Sequence, residues 1–213
     1  QPGQIVRPSD RRPVRRVAFL LCDGQGDDAH LAYGGNVSSL VALKQATYAR
    51  AHHADTVAYV FYEDMQTPGQ YEYFYKNVQR DPGILLSRGQ VKRVSEDAQK
   101  NVVVDVSDTL VGGDIQVAVD LVVLSTDMVP STLDDDGALG LKYLQGKNVP
   151  TTPFGYADSH FICFPYETRR TGIYSAGAVR QPMDLTAAAR DGRAAALKAM
   201  QSIEKSSAGQ AVH

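Results

Sequence analysis

The unbroken apolar run Val17–Cys22 constrains the fold more than any other feature of this sequence. Its residues do not alternate with polar ones, which is typical of a strand buried on both faces, as in a parallel sheet. The segments that follow are a helix over 37–51, a second buried strand at Val57–Tyr62, a helix over 71–78 and a third strand at Ile84–Ser87. This alternation of strands and helices predicts an α/β fold with a Rossmann-like parallel sheet.

A different pattern begins after the third strand. Three β-type runs, joined by polar turns, are Val91–Ser95, Val102–Ser107 and Ile115–Leu124. Apolar residues alternate with more polar ones in the second and third runs, which predicts an antiparallel three-stranded meander with one solvent-facing side.

The last third of the chain predicts smaller elements. Two short strands, Phe161–Phe164 and Gly172–Ala176, precede a long helix from Pro182 to about Ile203. Proline suits the first position of a helix. The predicted domains are a basic lead or linker at 1–16, a Rossmann-like lobe at 17–130, a C-terminal segment at 131–205 and a flexible tail at 206–213.

Composition excludes several classes of function. The 22 basic and 24 acidic side chains give a net charge of −2, which argues against broad nucleic-acid binding. The longest apolar runs are far shorter than the ~20 residues of a membrane-spanning helix, so no direct membrane insertion is expected. The two cysteines lie in strand-like stretches, which argues for a reducing compartment. The histidines and cysteines lack metal-ligand spacing, and no residue shows a catalytic pattern, so we predict neither a metal site nor a catalytic residue.

The loop after the first strand formally satisfies a dinucleotide-binding pattern. Gly24, Gly26 and Ala29 fit G-x-G-x-x-A. That motif needs a helix that begins inside it, so that amide groups and the helix dipole meet a pyrophosphate. Here the predicted helix begins only near residue 37, and Asp27 and Asp28 would repel phosphate. A nicotinamide-dependent oxidoreductase is therefore an alternative rather than the main interpretation.

The stretch Thr171–Asp184 is more specific. A short strand ends at Ala176 and Gly177, and a loop leads into a helix rich in small residues. Glycine allows a close backbone approach, and a helix N-terminus offers amide groups and a partial positive charge to a flavin pyrimidine oxygen.

Several stretches together resemble a known family. They are Arg7-Pro-Ser-Asp10, Val17-Ala-Phe-Leu-Leu-Cys-Asp-Gly24, Ala42-Leu-Lys-Gln-Ala46, Tyr71-Glu-Tyr-Phe-Tyr75, Asp120-Leu-Val-Val-Leu124 and Phe154 to Ala196. On these residues the chain resembles the flavoprotein A subunit of heterodisulfide reductases, and more closely the related B subunit of the quinone-interacting membrane-bound oxidoreductase.

This resemblance implies a C-terminal fragment of a thioredoxin-reductase-like flavoprotein, because the FAD-pyrophosphate loop of the family lies upstream of these stretches. It implies a nucleotide-domain-like lobe, followed by the strand and helix that complete an FAD domain. The implied flavin-side residues are Gly177, Ala178, Met183, Asp184 and Leu185. The isolated chain is expected to be inactive.

The resemblance also implies electron transfer in sulfur metabolism. The implied partners are iron–sulfur subunits, adenylylsulfate reductase and a membrane quinone-reactive subunit. The implied location is the cytoplasm, with peripheral membrane association through partner subunits.

The chain departs from the family pattern at one place. Members that hold an iron–sulfur cluster in this lobe have a cysteine in the first loop and further cysteines before the Ala42–Ala46 helix. The first position is kept as Cys22, but serines stand at 38 and 39. Serine is a poor replacement for thiolate at iron, so no cluster is expected in this segment.

A further alternative is a lobe without a ligand that docks partner subunits, with an interface in the tyrosine cluster Tyr59, Tyr62, Tyr71, Tyr73 and Tyr75.

Overall fold

The chain has the α/β architecture that the sequence predicts. A computed structural model describes residues 5–21, 35–130, 149–160 and 162–210. The chain divides into two compact units, Gln1–Asp127 and Met128–His213. The first unit contains a six-stranded mixed sheet, and the second contains a two-stranded sheet and a long helix. The strands of the larger sheet are, in spatial order, β5 (Gly113–Val119), β4 (Val102–Asp108), β3 (Ile84–Glu96), β2 (Val57–Tyr62), β1 (Arg16–Leu20) and β6 (Leu121–Leu124).

A parallel layer forms the centre of the first unit. Strand β1 (Arg16–Leu20) pairs in parallel with β2 (Val57–Tyr62) on one side and with β6 (Leu121–Leu124) on the other. Val17 and Phe19 of β1 pack in one core cluster with helix α1 (Asn36–His52), whereas Ala18 and Leu20 belong to a second cluster on the opposite face. Burial on both faces explains why the apolar run of β1 does not alternate.

Strand β3 (Ile84–Glu96) joins two layers of the unit. The sequence predicts two separate strands here, but the structure has one strand of 13 residues. It follows helix α2 (Tyr71–Val78), and its first five residues pair in parallel with β2, while residues from Gly89 onward pair antiparallel with the next strand. A Cβ atom on Gly89 would lie 2.3 Å from the Ser107 carbonyl oxygen, so only glycine permits this close approach.

The predicted meander is present and folds over the parallel layer. It consists of the second half of β3, β4 (Val102–Asp108) and β5 (Gly113–Val119). Its inward side chains pack against Ala18, Leu20 and Phe61 of the parallel strands; they are Val104, Val106 and Val119, all fully buried. The sheet is therefore strongly curled, with helices on one side of the parallel strands and the meander on the other.

The run predicted as one strand, Ile115–Leu124, is divided at Asp120. Its first part is β5 at one end of the strand order, and its second part is β6 at the other end. The Asp120 Oδ2 atom accepts hydrogen bonds from the backbone amides of Arg15 and Arg16, each at 2.8 Å, at the start of β1. One carboxylate therefore fixes the point where the chain leaves the meander and enters the parallel layer.

The basic lead is part of the packed unit rather than a linker over residues 5–16. Val6 and Pro13 form an antiparallel bridge, and Val14 is buried. The Arg7 guanidinium is almost fully buried, and it donates hydrogen bonds to the Lys100 carbonyl oxygen and to the Asn101 side chain. A charged group that is buried needs such partners, and these contacts attach the lead to the chain next to β4.

The second unit differs in detail from the prediction. Its strands are β7 (Ser159–His160) and β8 (Phe164–Thr168), which form an antiparallel pair. The predicted strand Gly172–Ala176 is wrong, since only Tyr174 of that stretch forms a bridge, with Glu167. Helix α3 (Leu185–Ser207) begins later than predicted and extends four residues further, into the predicted flexible tail. None of the described helices is both long and apolar enough to cross a membrane.

Candidate functional site

The candidate flavin-side residues lie on a short turn and at the beginning of α3. Gly177 and Ala178 belong to a single turn of 3-10 helix, Gly177–Val179. Gly177 is buried and has a φ angle of 70°, in the left-handed region that favours glycine. A Cβ atom at this position would lie 3.6 Å from the Ala188 Cβ, which is ordinary contact, so glycine is required by the backbone angle and not by crowding.

A carboxylate on α3 holds this turn in place. Asp191 Oδ2 accepts a hydrogen bond from the Gly177 amide at 2.7 Å, and Oδ1 forms an ion pair with Arg180 Nη1 at 2.8 Å. Both side chains are largely buried, with exposed fractions of 12% for Asp191 and 17% for Arg180. The Arg180 guanidinium lies over the Tyr166 ring at 4.7 Å from its centroid. We refer to Gly177, Arg180, Asp191 and Tyr166 as the turn clamp.

Sequence reasoning missed the residues of the turn clamp other than Gly177. Asp191 lies 14 positions after Gly177, inside a helix otherwise rich in alanine. The only available signal was an acidic side chain on a helix surface built of small residues, and most such side chains are simply solvated.

The beginning of α3 is capped by its own side chain, so its amides are less free than expected. Asp184 is the N-cap residue, and its Oδ1 atom accepts from the amides of Thr186 at 2.7 Å and Ala187 at 2.9 Å. The expectation of unused amides at this terminus is therefore wrong for these two groups. Met183 precedes the cap and is partly buried, while Leu185 is 87% exposed.

Buried serines occupy the region where parallel strands of a Rossmann-like lobe end. Ser38 and Ser39 lie in the first turn of α1. Ser39 Oγ accepts from the Gln66 amide at 3.2 Å, and Ser38 Oγ donates to the Gly35 carbonyl at 3.3 Å. Ser125, which follows β6, donates through Oγ to the Ser38 carbonyl at 3.2 Å. These hydroxyls are engaged in hydrogen bonds within the fold, and hydroxyl donors do not fit iron–sulfur ligation.

Other predicted motifs of the first loop lie outside the described residues. These are Cys22, the glycines Gly24 and Gly26, the pair Asp27 and Asp28, and Ala29. Helix α1 begins at Asn36, ten residues after Gly26. The glycines are therefore not at the start of that helix, where a dinucleotide pyrophosphate is bound.

The described residues contain no group of three or more His, Cys, Asp or Glu side chains able to hold a metal ion. Cys163 is exposed and lies in the turn between β7 and β8, so the predicted strand Phe161–Phe164 is wrong at this residue.

The tyrosine cluster is divided between core and surface. The Tyr59 and Phe61 rings stack with their centroids 6.1 Å apart, and Tyr62 packs against the core. Burial raises the pKa of Tyr75 to about 12, with smaller contributions from Tyr62. Tyr73 is 70% exposed, so it is the member of the cluster most available to a partner.

Comparisons with known proteins support the proposed relationship. No family model matches the sequence. The chain is 33% identical to an iron–sulfur A subunit of the CoB–CoM heterodisulfide reductase of Methanopyrus kandleri. The match extends over 201 residues and covers 92% of this chain. It is 32% identical over 203 residues to the corresponding A subunit of Methanocaldococcus jannaschii. Over this span, the chain is similar to the A subunits of heterodisulfide reductases. It covers 30% of the length of each of these relatives.

Solved structures agree on the fold of this heterodisulfide reductase relative. Thioredoxin reductase from Lactococcus lactis matches 89% of this chain with a TM-score of 0.56 and 17% identity, over 52% of its own length. Thioredoxin reductase from T. acidophilum matches 85% of this chain with a TM-score of 0.50 and 21% identity, over 50% of its own length. The predicted fold class, an α/β sheet with a meander as in thioredoxin reductases, is thereby confirmed.

Proposed function

We propose that this chain is the part of a flavoprotein of the A-subunit type that completes an FAD site in an electron-transfer oxidoreductase. The relatives are named as subunits of heterodisulfide reductases, and one from Methanococcus maripaludis is named as the A subunit of a heterodisulfide and ferredoxin reductase. FAD would supply the redox chemistry as it accepts and donates electrons, and the protein would supply binding and orientation.

The observation that carries this proposal is the turn clamp. A flavin site requires backbone that keeps its position without help from the ligand. The clamp holds Gly177 in a left-handed conformation next to the capped start of α3, inside the segment that the relatives match. Ala178 and Leu185 are exposed beside the turn clamp. A small and an apolar side chain are therefore available to the flat flavin ring.

Each residue has a defined part in this proposal. Gly177 and Ala178 present backbone without a bulky side chain to the flavin. Asp184 terminates α3 and fixes its direction, while Met183 and Leu185 provide apolar contacts on either side of the cap. Asp191 and Arg180 act as positioning residues, because they contact the turn rather than the flavin.

The surrounding assembly is part of the same proposal. Iron–sulfur subunits would exchange electrons with the flavin, and adenylylsulfate reductase and a membrane quinone-reactive subunit would stand at the ends of the chain of carriers in a sulfur-metabolic complex. The protein would lie in the cytoplasm, attached to the membrane through these partners. In this proposal, the chain has the role of the B subunit of the quinone-interacting oxidoreductase.

The test compares two glycine substitutions in the polypeptide that carries these 213 residues. Gly177→Val introduces a branched side chain at a φ of 70° and is expected to reduce bound FAD at least tenfold. Gly26→Val is the matched control and should leave FAD content unchanged. FAD is released with acid and measured by its absorbance, and nicotinamide binding is measured by calorimetry. Full FAD occupancy in Gly177→Val, with nicotinamide binding lost only in Gly26→Val, would contradict the proposal and favour the nicotinamide-dependent alternative.

A second candidate function is a lobe without a ligand that docks partner subunits. The buried serine hydrogen bonds at the start of α1 favour it for the first unit, because they use polar groups internally where related folds bind a nucleotide. The two functions are compatible, since FAD binding is proposed for the second unit. Equilibrium binding of ADP-ribose to the protein tests the docking function of the first unit: a lobe without a ligand binds none, and measurable binding would contradict it.

A further inference from the structure

Helix α3 carries its largest apolar side chains on the side that faces away from its own unit. Leu197, Met200 and Ile203 have exposed fractions of 54%, 59% and 66%. Because the helix has 3.6 residues per turn, these three residues lie in one stripe along it, which we call the outer face. Among the 23 residues of this helix, all of them described, Ala195 alone is buried. The large apolar side chains of the outer face therefore add little to the core of the second unit.

The opposite side of α3, which packs on its own unit, consists of small and polar side chains. Asp191 accepts from the Gly177 amide, the Ser202 and Tyr174 hydroxyl oxygens lie 2.5 Å apart, and Ala195 is on the same side. A helix of a globular protein normally turns its large apolar residues toward a core, and this packing supplies most of its stability. The reversed arrangement indicates that the main packing partner of α3 is not among the described residues of the second unit.

The outer face has the composition of a permanent interface. Its three large residues are apolar, and exposed charged residues, Arg193 and Glu204, lie at its two ends. An apolar centre with a charged border is typical of protein interfaces, and interfaces that do not separate are the more apolar ones. This composition favours a part of the same polypeptide over a partner that binds and dissociates.

The relatives contain such additional polypeptide. The chain covers 30% of the length of the A subunits from Methanopyrus kandleri and Methanocaldococcus jannaschii, so most of each relative lies outside the match. Helix α3 also connects the outer face to the proposed flavin site, because its Asp191 side chain holds the Gly177 turn. A binding site that is divided between two parts of a polypeptide needs a rigid contact between them.

We propose that Leu197, Met200 and Ile203 pack against an apolar surface of the region that holds the rest of the FAD, in the longer polypeptide that carries these 213 residues. This inference rests on the proposed function, because it requires an FAD site shared with that region. The outer face includes none of the proposed flavin-side residues, so its contact can be measured separately from FAD content.

The experiment measures the oxidation of Met200 to its sulfoxide by hydrogen peroxide, followed by peptide mass spectrometry. The full polypeptide, purified without other subunits, is compared with the 213-residue chain. We expect Met200 to be oxidised at least tenfold more slowly in the full polypeptide, and this protection to be unchanged after tenfold dilution. Met65, which packs against the core of the first unit, is the internal control and should be oxidised at the same rate in both proteins.

Two pairs of substitutions in the full polypeptide test the residues of the outer face. Leu197→Gln/Ile203→Gln should restore fast oxidation of Met200, because glutamine keeps the helix propensity but removes the apolar contacts. The matched control, Lys198→Gln/Lys205→Gln, changes two exposed side chains on the other side of α3 and should leave Met200 protected. Circular dichroism identifies any variant that unfolds, and in that case the comparison of the two wild-type proteins decides the proposal.

Three results would overturn the proposal. Equal oxidation of Met200 in both proteins would show that the rest of the polypeptide does not cover the outer face. Protection that is lost on dilution would assign the outer face to a second copy of the protein, and protection that requires other subunits would assign it to one of them. Full FAD occupancy with unprotected Met200 would refute this contact alone, whereas protected Met200 without bound FAD would refute the proposed function.

Discussion

The substitution Asp191→Ala tests the turn clamp most directly. It removes the acceptor of the Gly177 amide and the partner of Arg180, both at hydrogen-bond distance in the folded protein. A buried amide left without a partner costs about 1–3 kcal/mol. The ion pair is only partly shielded from water, so its loss adds about 1 kcal/mol rather than the larger figure for a fully buried pair. We therefore expect the second unit to be destabilised by about 3 kcal/mol.

The substitution Asp191→Asn separates the two contributions. An asparagine carbonyl still accepts from the Gly177 amide but no longer carries the charge that pairs with Arg180, so the expected loss is about 1 kcal/mol. The assay is urea unfolding followed by circular dichroism, together with hydrogen exchange of the Gly177 amide by NMR. A loss of about 1.4 kcal/mol corresponds to about tenfold faster exchange when local opening is limiting. We expect exchange at Gly177 to be accelerated strongly in the alanine variant and only slightly in the asparagine variant.

Two results would refute this reasoning. If both variants unfold like wild type within about 0.5 kcal/mol, the contacts of Asp191 make no net contribution. If stability falls while the Gly177 amide remains as protected as in wild type, the hydrogen bond is not the cause. A double-mutant cycle with Arg180→Ala measures the ion pair alone, and we expect a coupling of about 1 kcal/mol.

The remaining predictions concern protonation and cofactors. Hydrogen bonds from the Ser87 hydroxyl and from the backbone amides of Val111 and Leu110 lower the pKa of Asp108. Its carboxylate therefore contributes to folding stability above pH about 4, and this contribution is lost as pH falls through the folded-state pKa. Acid unfolding of Asp108→Asn should lack this loss of stability. Burial raises the pKa of Tyr75 from 10.0 to about 12. Its contribution to folding stability is therefore complete below pH 10 and is lost as pH rises toward 12. Tyr75→Phe should lose less stability over that range than wild type, as measured by urea unfolding at each pH. The 213-residue chain purified alone should be colourless, and a yellow preparation with stoichiometric flavin would contradict this. Anaerobic reconstitution with iron and sulfide should load no cluster, because two cysteines cannot supply the roughly four thiolates that a cluster needs; iron and sulfide analysis checks it.

Much of the first unit follows from the sequence because its strands are buried on both faces. Such strands leave a continuous apolar run, and the helices between them keep helical spacing. The breaks between strands were harder to predict. The length of β3 depends on Gly89, which lets two strands approach closely, and a lone glycine in a β-type run gives no unambiguous signal. The division at Asp120 depends on amides of Arg15 and Arg16 more than a hundred positions earlier in the chain.

The candidate site shows the same limit more sharply. Gly177 could be singled out because a glycine between a strand-like stretch and a helix reports on local backbone geometry, and its φ of 70° agrees with that. Asp191 could not, because its role depends on the direction in which α3 leaves the turn. The Asp184 cap fixes that direction, and only then does a carboxylate two turns into the helix reach back to the Gly177 amide. Asp191, whose side chain holds the turn, thus belongs to α3, the helix that follows the turn. The position of the Gly177 backbone therefore depends on the turn and α3 together. Substitutions at Asp184 and at Asp191 should accordingly affect the Gly177 backbone in the same way, although neither residue is a neighbour of Gly177 in the sequence.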